Sequence, residues 1–495
     1  MREREEGGTL VCRCEEVLEA EVLEAISSGA ASVPWVKRLT RAGMGVCQGK
    51  VCGGTVQRLL AKHSGVHPML LFPDSPRPPL RPVTVETLAR FPQIDAPCPA
   101  PPAPPQSQAP RDGVTWSQRE VDFLVIGAGS TGCSVAYHLA RRGKSVLVVD
   151  QAEVAQEGSG RNLGGIRQLG RHPSEVPIAR ESLRMWAQIQ DRHDIEMRHM
   201  GYLWVALSEM EMSLQEKAHR LQVDMGVRSE LLSGALLRRT FPALSERSLQ
   251  GLHCPDDAQA NPIKATRALA AMAVEAGAEI REHTPVYGFL ASGGEIQGAE
   301  TNRGRVTAKK VILAAGPWAK PMAQWVGLDL PLTAVPNQIM VTEPIGYMVR
   351  PLVLTGLAVC LQGARGNAYI GNVDPPGVSG FGKETVLKEM FRSAKNILEV
   401  LPGLAKVRVI RSWAGVLDLT PDDIPIIGEP EEAPGLFLAT GFAGHGFAIS
   451  PMIGQLIAQA LMGERPSLPM DDFDPGRFRS GAARPIQHFT HQHRN

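Results

Sequence analysis

Val121-Asp-Phe-Leu-Val-Ile-Gly127-Ala-Gly129-Ser130-Thr131-Gly132 is the stretch on which the fold turns. A short apolar run ends in three glycines spaced G-x-G-x-x-G. Cys133, Ala136, Tyr137 and Ala140 then recur at i, i+3, i+4 and i+7, the period of a helix. Gly143 stops that helix, Lys144-Ser-Val-Leu-Val-Val makes a second strand, and Asp150 closes it. The glycine spacing alone is weak evidence. Strand, turn, helix, second strand and an acidic residue about twenty positions on, all in order, are specific for a dinucleotide-binding unit. Gly127 permits the tight turn, Gly129 lets a pyrophosphate approach the main chain, and Gly132 lets helix and strand pack closely. The helix start at Ser130 and Thr131 faces the phosphates, and Asp150 is placed to accept the ribose hydroxyls.

This fingerprint serves NAD and FAD alike, and the residues C-terminal to it separate them. Gly158-Ser159-Gly-Arg161-Asn162-Leu-Gly164-Gly165-Ile-Arg167-Gln168 follows the ribose strand closely. It carries few side chains that could build a core, and suits a main chain that lies along a flavin. Lys309 to Trp318 is another strand ending in a glycine turn, with Ala315 and Gly316. Thr420 to Gly428 and Ala439-Thr-Gly441-Phe-Ala-Gly444-His445-Gly446-Phe447 precede a helix expected at Ser450–Met462. No second G-x-G-x-x-G occurs, so a separate NAD(P) domain is not expected.

Together these segments resemble the glycine oxidase, sarcosine oxidase and D-amino acid oxidase family of FAD enzymes. Within it, the stretch from Gly160 to Pro173 looks most like the flavin subunit of opine oxidases and hydrogen cyanide synthase. The likeness spans 121–465 and includes Asp257-Ala-Gln-Ala-Asn-Pro-Ile263, which is similar to the family's stretch before its next helix. It implies an α/β fold: a Rossmann-type, glutathione-reductase-like FAD domain with an interleaved α+β substrate domain, within 120–474. The FAD lobe is expected at about 121–200, 250–330 and 410–465, and the substrate lobe at about 201–249 and 331–409. The glycine loops named above, with Ser159, Arg161, Asn162, Ala315 and Phe447, are the implied FAD contacts.

The reaction implied takes a hydride from an amine-bearing carbon to the flavin, after which the imine hydrolyses. Flavin supplies the chemistry and the protein orients the substrate. An arginine suits the substrate carboxylate because its fork is bidentate. Arg167 is the first choice by its place in the motif, against the alternative that it packs on flavin or phosphate. Arg161, Arg171 and Arg411 are secondary choices. His445 is a candidate for a chemical role or a main-chain spacer. Monomeric sarcosine oxidases carry a lysine where this chain has Ala448, so the sarcosine assignment does not transfer simply. His172 and Tyr202 are pocket candidates against a default of solvated surface. No residue stands out as a covalent flavin anchor.

N-terminal to the fingerprint, Cys12-Arg-Cys14 and Cys47-Gln-Gly-Lys-Val-Cys52 hold four of the eight cysteines. Two thiolate pairs can supply four soft ligands to one centre. A helix is expected over Glu15–Ser28, with Val17, Leu18, Val22 and Ile26 on its apolar face. Gly43, Gly45, Gly49, Gly53 and Gly54 crowd the second pair, where they let the main chain aim N–H groups at sulfur. Free cysteines would not come paired twice, and zinc prefers C-x₂₋₄-C at both ends. Residues 11–17 and 40–53 resemble the bacterioferritin-associated-ferredoxin type of [2Fe–2S] domain, in the version attached to anaerobic glycerol-3-phosphate dehydrogenases and opine oxidases. The resemblance covers about 9–90 and implies Cys12, Cys14, Cys47 and Cys52 as ligands of a [2Fe–2S] cluster. The domain proper is placed at 9–64 and is expected to be small and mainly helical.

Fourteen prolines fall between Pro68 and Pro110. Residues 65–119 are accordingly expected to be an extended linker without helix or sheet ladders, and 475–495 a tail. The 495 residues suggest two to four domains, and 52 Lys+Arg against 51 Asp+Glu argue against nucleic-acid binding. The N-terminus lacks an apolar signal, and no run of 18 apolar residues occurs, so a cytoplasmic protein with at most peripheral membrane association is expected.

The activity expected is an FAD-dependent dehydrogenase acting on the C–N bond of a small amino acid or secondary amine, of glycine, sarcosine, D-amino acid, hydroxyproline or opine type. Electrons would pass through the cluster to a partner subunit, in an oligomeric complex. The alternatives are oxidation of a 2-hydroxy acid or glycerol phosphate, and a non-catalytic electron-transfer or iron-handling module.

Overall fold

The strand that precedes the glycine turn runs from Arg119 to Ile126, and the protein is built outward from it. The structure, a computed structural model, describes residues 8–71, 73–74, 77–91, 113–348, 350–373 and 379–479. On one side, Phe123–Ile126 pairs in parallel with Val146–Val149, and that strand pairs in parallel with Glu279–Arg281. On the other side lies Gly304–Leu313, also parallel. Its second half carries the parallel strand Leu436–Thr440, and its first half the antiparallel hairpin Val286–Ser292/Glu295–Thr301. Leu124, Val125, Leu147, Val148, Val311 and Ile312 are fully buried, because helices cover both faces of the sheet. Burial of each such side chain contributes roughly 1.5–3 kcal/mol.

Helix Ser130–Ala140 packs on the sheet with Pro262–Glu275 and Gly446–Leu461. It is buried at every position but Tyr137, so the expected one-sided apolar face is in fact nearly all round. The C-terminal helix begins at Gly446, four residues before the expected Ser450, so Gly446 and Phe447 belong to its first turn. Pro451, sixth in that helix, leaves the Phe447 carbonyl without its main-chain donor, and Ser450 Oγ donates to that carbonyl at 3.0 Å instead.

The second lobe is a nine-stranded sheet. Its order is Val83–Thr84, Arg408–Leu419, Thr333–Pro344, Asn367–Asn372, Ala358–Gln362, Leu352–Leu354, Tyr202–Ala206, Gln250–Cys254 and Glu230–Ser233. Two segments expected in the FAD lobe therefore lie here instead. Gln250–Cys254 pairs antiparallel with Tyr202–Ala206, and Arg408–Leu419 pairs along ten positions with Thr333–Thr342. Helix Leu387–Val400 lays Met390, Phe391, Ala394, Ile397 and Val400 against this lobe's core.

The proline-rich stretch also departs from expectation. Val83–Thr84 pairs with Arg408–Val409, and Val85–Ala89 is a helix packed on Leu387–Val400, with Val85 and Leu88 buried. Prolines cease between Pro82 and Pro92, which leaves room for both elements. Residues 92–112, with Cys98, lie outside the described residues. Part of the expected tail is packed as well: Pro475–Phe478 is a 3₁₀ turn, and Arg477 grips Asp422 at 2.9 Å in a buried pair.

At the N-terminus, helices Glu19–Ser27, Val33–Thr40 and Gly53–Ser64 enclose Val17, Val22, Trp35, Val36 and Leu60. The first helix starts at Glu19, not Glu15. Glu16 has φ of 51°, and Val17–Leu18 pairs with Leu10–Cys12 as a two-stranded ribbon whose turn carries Cys14. No helix among the described residues is long and apolar enough to cross a membrane.

Candidate functional site

Four of the implied FAD-binding segments meet at one edge. Asp150, the turn at 127–132, Ala315 with Gly316, and the loop at 441–447 each follow the carboxyl end of one of four adjacent parallel strands. Ligands of open α/β sheets bind at that edge. Gly127 has φ of +112°, and a Cβ there would stand 2.3 Å from the Ala314 carbonyl oxygen. A Cβ on Gly132 would stand 2.0 Å from the Gly127 carbonyl oxygen. These two glycines leave room only for bare main chain. Gly129 offers the helix start no side-chain cap; Ser159 takes the Ser130 N–H, and the N–H groups of Thr131 and Gly132 are left for an anion. Asp150 is half-buried, and its carboxylate oxygens accept the N–H groups of Ala128 at 2.7 Å and Ala152 at 2.8 Å. Burial pushes its acid up to about 6. A carboxylate has about four acceptor positions, so capacity for ribose hydroxyls remains.

The loop at 158–165 lies between the lobes. Ser159 Oγ accepts the Ser130 N–H at 2.9 Å, which ties the loop to the fingerprint helix. Asn162 braces it internally, donating to the Gly158 and Ser159 carbonyls and accepting from the Gly164 N–H at 2.6 Å. Gly164 has φ of +74°, and its Cβ would meet the Ala260 oxygen at 1.8 Å; that of Gly165 would meet the Tyr202 hydroxyl at 1.6 Å. Arg161 donates to the Gln156 and Ala414 carbonyls at 3.0 Å, a structural use that removes it as a carboxylate partner. Trp413 Nε1 donates to the Arg161 carbonyl at 2.9 Å.

At 441–447 the main chain is held by Asp418. Its carboxylate accepts the Gly441 N–H at 2.8 Å and the Phe442 N–H at 3.3 Å, and burial pushes its acid up to about 6. Gly444 has φ of +82°. Phe447 stacks on Trp186 at 5.1 Å, and Trp186 Nε1 donates to the Ala448 carbonyl. His445 is 3% exposed, with Nδ1 3.7 Å from the carboxylate of Glu175, itself fully buried. Thr440 Oγ1 donates to the Gly316 carbonyl at 3.0 Å.

Arg167 is half-buried and donates to the Leu169 carbonyl at 2.9 Å. Burial and then Arg171 push it down to about 10, while Tyr202, Glu175 and Asp257 hold it up. Asp257 accepts the N–H groups of Gln168 and Leu169, so it pins the segment that carries Arg167. Arg171 donates to the Arg167 carbonyl at 3.2 Å from a buried position. His172 and Tyr202 are 6% and 5% exposed, so neither is solvated surface. Arg411 is not in this site: it donates to the Met44 carbonyl of the N-terminal domain at 2.8 Å. Asp257, Glu175, Asp418 and Trp413 had no role in the sequence reading. Asp418 stands 23 residues before Gly441, so no spacing in the sequence links it to the glycine loop it holds.

In the N-terminal domain the thiols approach in two pairs. Cys12 lies against Cys52, and Cys14 against Cys47. Among the described residues no three His, Cys, Asp or Glu side chains converge as for a single metal ion. Two pairs instead match a two-iron centre with four thiolate ligands. Cys52, and then the N–H groups of Gly43, Glu15 and Cys14, favour the Cys12 thiolate and bring it down to about 6 against burial. Such N–H groups aimed at sulfur suit a cluster. A Cβ on Gly45 would stand 2.2 Å from Cys14 Cβ, so the loop closes only with glycine there.

Residues 122–460 match the family model for the FAD dependent oxidoreductases called DAO, and residues 10–62 match that for the BFD-like [2Fe-2S] binding domain. The glycine oxidase of Pseudomonas aeruginosa is 27% identical over 71% of this chain and 98% of its own length. The 4-methylaminobutanoate oxidase (formaldehyde-forming) of Paenarthrobacter nicotinovorans is 27% identical over 72% of this chain, which spans only 46% of that longer protein. Among solved structures, L-proline dehydrogenase from P. horikoshii superposes with a TM-score of 0.71 at 28% identity, covering 74% of this chain and 100% of that one. The chain thus belongs to the DAO family of FAD-dependent oxidoreductases, and carries a [2Fe–2S] domain ahead of its flavin domain.

Proposed function

We propose that this protein is a dehydrogenase of small amino acids or secondary amines that carry a carboxylate, and that its electrons leave through the [2Fe–2S] domain to a partner protein. The observation that carries the substrate class is Arg167, held beside the flavin loop by Asp257 and next to buried Tyr202. A guanidinium lowered by burial and by Arg171 gains from a bound carboxylate. The relatives named above act on glycine, 4-methylaminobutanoate and proline, each an amine with a carboxylate.

Flavin, when bound, supplies hydride acceptance. The chain's own residues do the positioning. Gly127, Gly129, Gly132, Ser130 and Thr131 take the pyrophosphate, Asp150 the ribose, and the 158–165, 315–316 and 441–447 segments the isoalloxazine region. Arg167 anchors the carboxylate, and Tyr202, on a strand of the substrate lobe, closes on Gly165 of the flavin loop. His445, beside buried Glu175, precedes helix Gly446–Leu461, whose first-turn N–H groups would face the flavin. Cys12, Cys14, Cys47 and Cys52 hold the cluster.

The test is anaerobic bleaching of the flavin by a panel of glycine, sarcosine, proline, hydroxyproline, D-amino acids and opines beside 2-hydroxy acids and glycerol phosphate. Bleaching by amines with a carboxylate is expected. Bleaching by hydroxy compounds alone would overturn the amine reading. No bleaching by any compound, with both cofactors intact, would favour an electron-transfer module.

A further inference from the structure

Both cysteine loops are clamped by arginines that come from the substrate-lobe sheet. Arg365, just past strand Ala358–Gln362, donates Nη1 to the Glu15 carbonyl at 2.6 Å, one residue beyond Cys14. Arg411, on strand Arg408–Leu419, donates Nη1 to the Met44 carbonyl at 2.8 Å, three residues before Cys47. Arg411 is 6% exposed. Two residues along the same strand, Trp413 binds the Arg161 carbonyl of the flavin loop. Residues i and i+2 share a face of a strand and lie roughly 7 Å apart. One short stretch of strand thus holds a cysteine loop and the flavin loop side by side, with the Arg411 guanidinium 5.8 Å from the Trp413 ring centre.

The contact is also unusually cationic. Arg38 reaches the Ala155 carbonyl, and Arg41 binds Glu15 at 2.9 Å. Burial, then Arg41, push Arg411 down to about 10, and burial, then Arg161, do the same to Arg38. Tyr369 and Glu15 both answer Arg41 and Arg411, and Glu15 also lies near Arg365. A buried excess of positive charge is costly unless an anion stands against it. Four thiolates leave an oxidised [2Fe–2S] cluster net negative, and an added electron makes it more so.

We infer that Arg365 and Arg411 are positioning residues for the cluster: they seat both cysteine loops on the substrate-lobe sheet, and their charge raises the reduction potential of the cluster those loops hold. The inference rests on the reading that the four cysteines carry the cluster.

The experiment is a mediator-dye redox titration of the full-length protein, following the electron paramagnetic resonance of the reduced cluster. Parent, Arg411→Met, Arg365→Met and Arg411→Lys are compared at equal iron and flavin content. Each methionine variant is expected to hold at least tenfold less reduced cluster relative to oxidised at a given poise, about 59 mV for one electron. Arg411→Lys, which keeps the charge, should shift less than threefold. An unchanged midpoint in an iron-replete methionine variant overturns the inference, as does a lysine variant that falls as far as methionine. If Arg411→Met loses its cofactors, Arg365→Met decides, since that side chain is 43% exposed. A parent protein that binds no iron removes the cysteine reading itself, an outcome distinct from an unmoved potential.

Discussion

The turn at 127–132 and the seat of the cysteine loops are both places where main chain meets a cofactor, yet they are built in opposite ways. The turn is local: one strand, one helix and Asp150 about twenty residues on supply its shape, and its donors are N–H groups facing an anion. The seat is assembled from groups 350 and 367 positions apart in the chain, Arg365 with Glu15 and Arg411 with Met44. Local main-chain geometry makes a site that tolerates almost no side chain. Long-range side-chain clamps make a site whose position and electrostatics depend on how two domains dock.

If the two sites are separable in this way, they should fail independently. Gly132→Val should have the largest effect, because its Cβ would lie 2.0 Å from the Gly127 oxygen. The purified protein is expected to lose FAD, with affinity down more than about 100-fold, while its iron content stays. A variant that keeps its yellow colour would refute the close packing on which the turn depends.

Cys47→Ser is the mirror test. Iron and the visible cluster bands should disappear with flavin retained. Unchanged iron, or zinc in its place, would sink the ligand assignment.

Arg167→Ala sharpens the comparison inside the flavin lobe. Losing a charge-assisted carboxylate contact of about 1.5–3 kcal/mol should raise KM for carboxylate-bearing amines by roughly 10- to 100-fold. An unaltered KM would leave Arg167 a packing role.

The smallest effect is on pH dependence. Burial raises Asp418 from its ordinary range to about 6, so the folded state holds its proton where the unfolded chain has lost it. The stability this gives is present below about pH 4 and is lost as pH rises through about 6. Asp418→Asn lacks that loss, so its Tm should gain on the parent by about 2–4 °C between pH 4 and pH 6. A Tm difference that does not vary with pH would show that Asp418 ionises elsewhere.

The boundaries of the lobes were the least legible part of the fold. Arg408–Leu419 reads as a strand in either lobe, and only its ten-position register with Thr333–Thr342 places it in the substrate sheet. Val83–Ala89 sits between prolines and looks like linker, yet its strand finds an edge at Arg408–Val409. Gly446 and Phe447 read as loop because glycine marks a stop, although the helix starts on them. His172 and Tyr202 read as surface by residue type, yet both are interior, Tyr202 within a core cluster with Trp204 and Leu252. In each case the deciding neighbour is distant in the chain, and composition carries no trace of it.

By itself the sequence determined where a dinucleotide and four soft ligands sit and the main-chain loops suited to them; the family resemblance of those loops named FAD and the cluster. Glycine spacing at a strand-to-helix turn and paired soft ligands are short-range constraints that few residue types can meet. Which carbonyl each arginine meets, and that Arg411 reaches a cysteine loop, was decided only by the tertiary structure. Arg161, Arg167 and Arg411 carry the same guanidinium. In the folded chain Arg161 meets the Ala414 carbonyl, Arg167 the Leu169 carbonyl two residues on, and Arg411 the Met44 carbonyl. A charged fork takes its role from the partner that burial leaves within reach, and for Arg411 that partner lies 367 positions away in the chain.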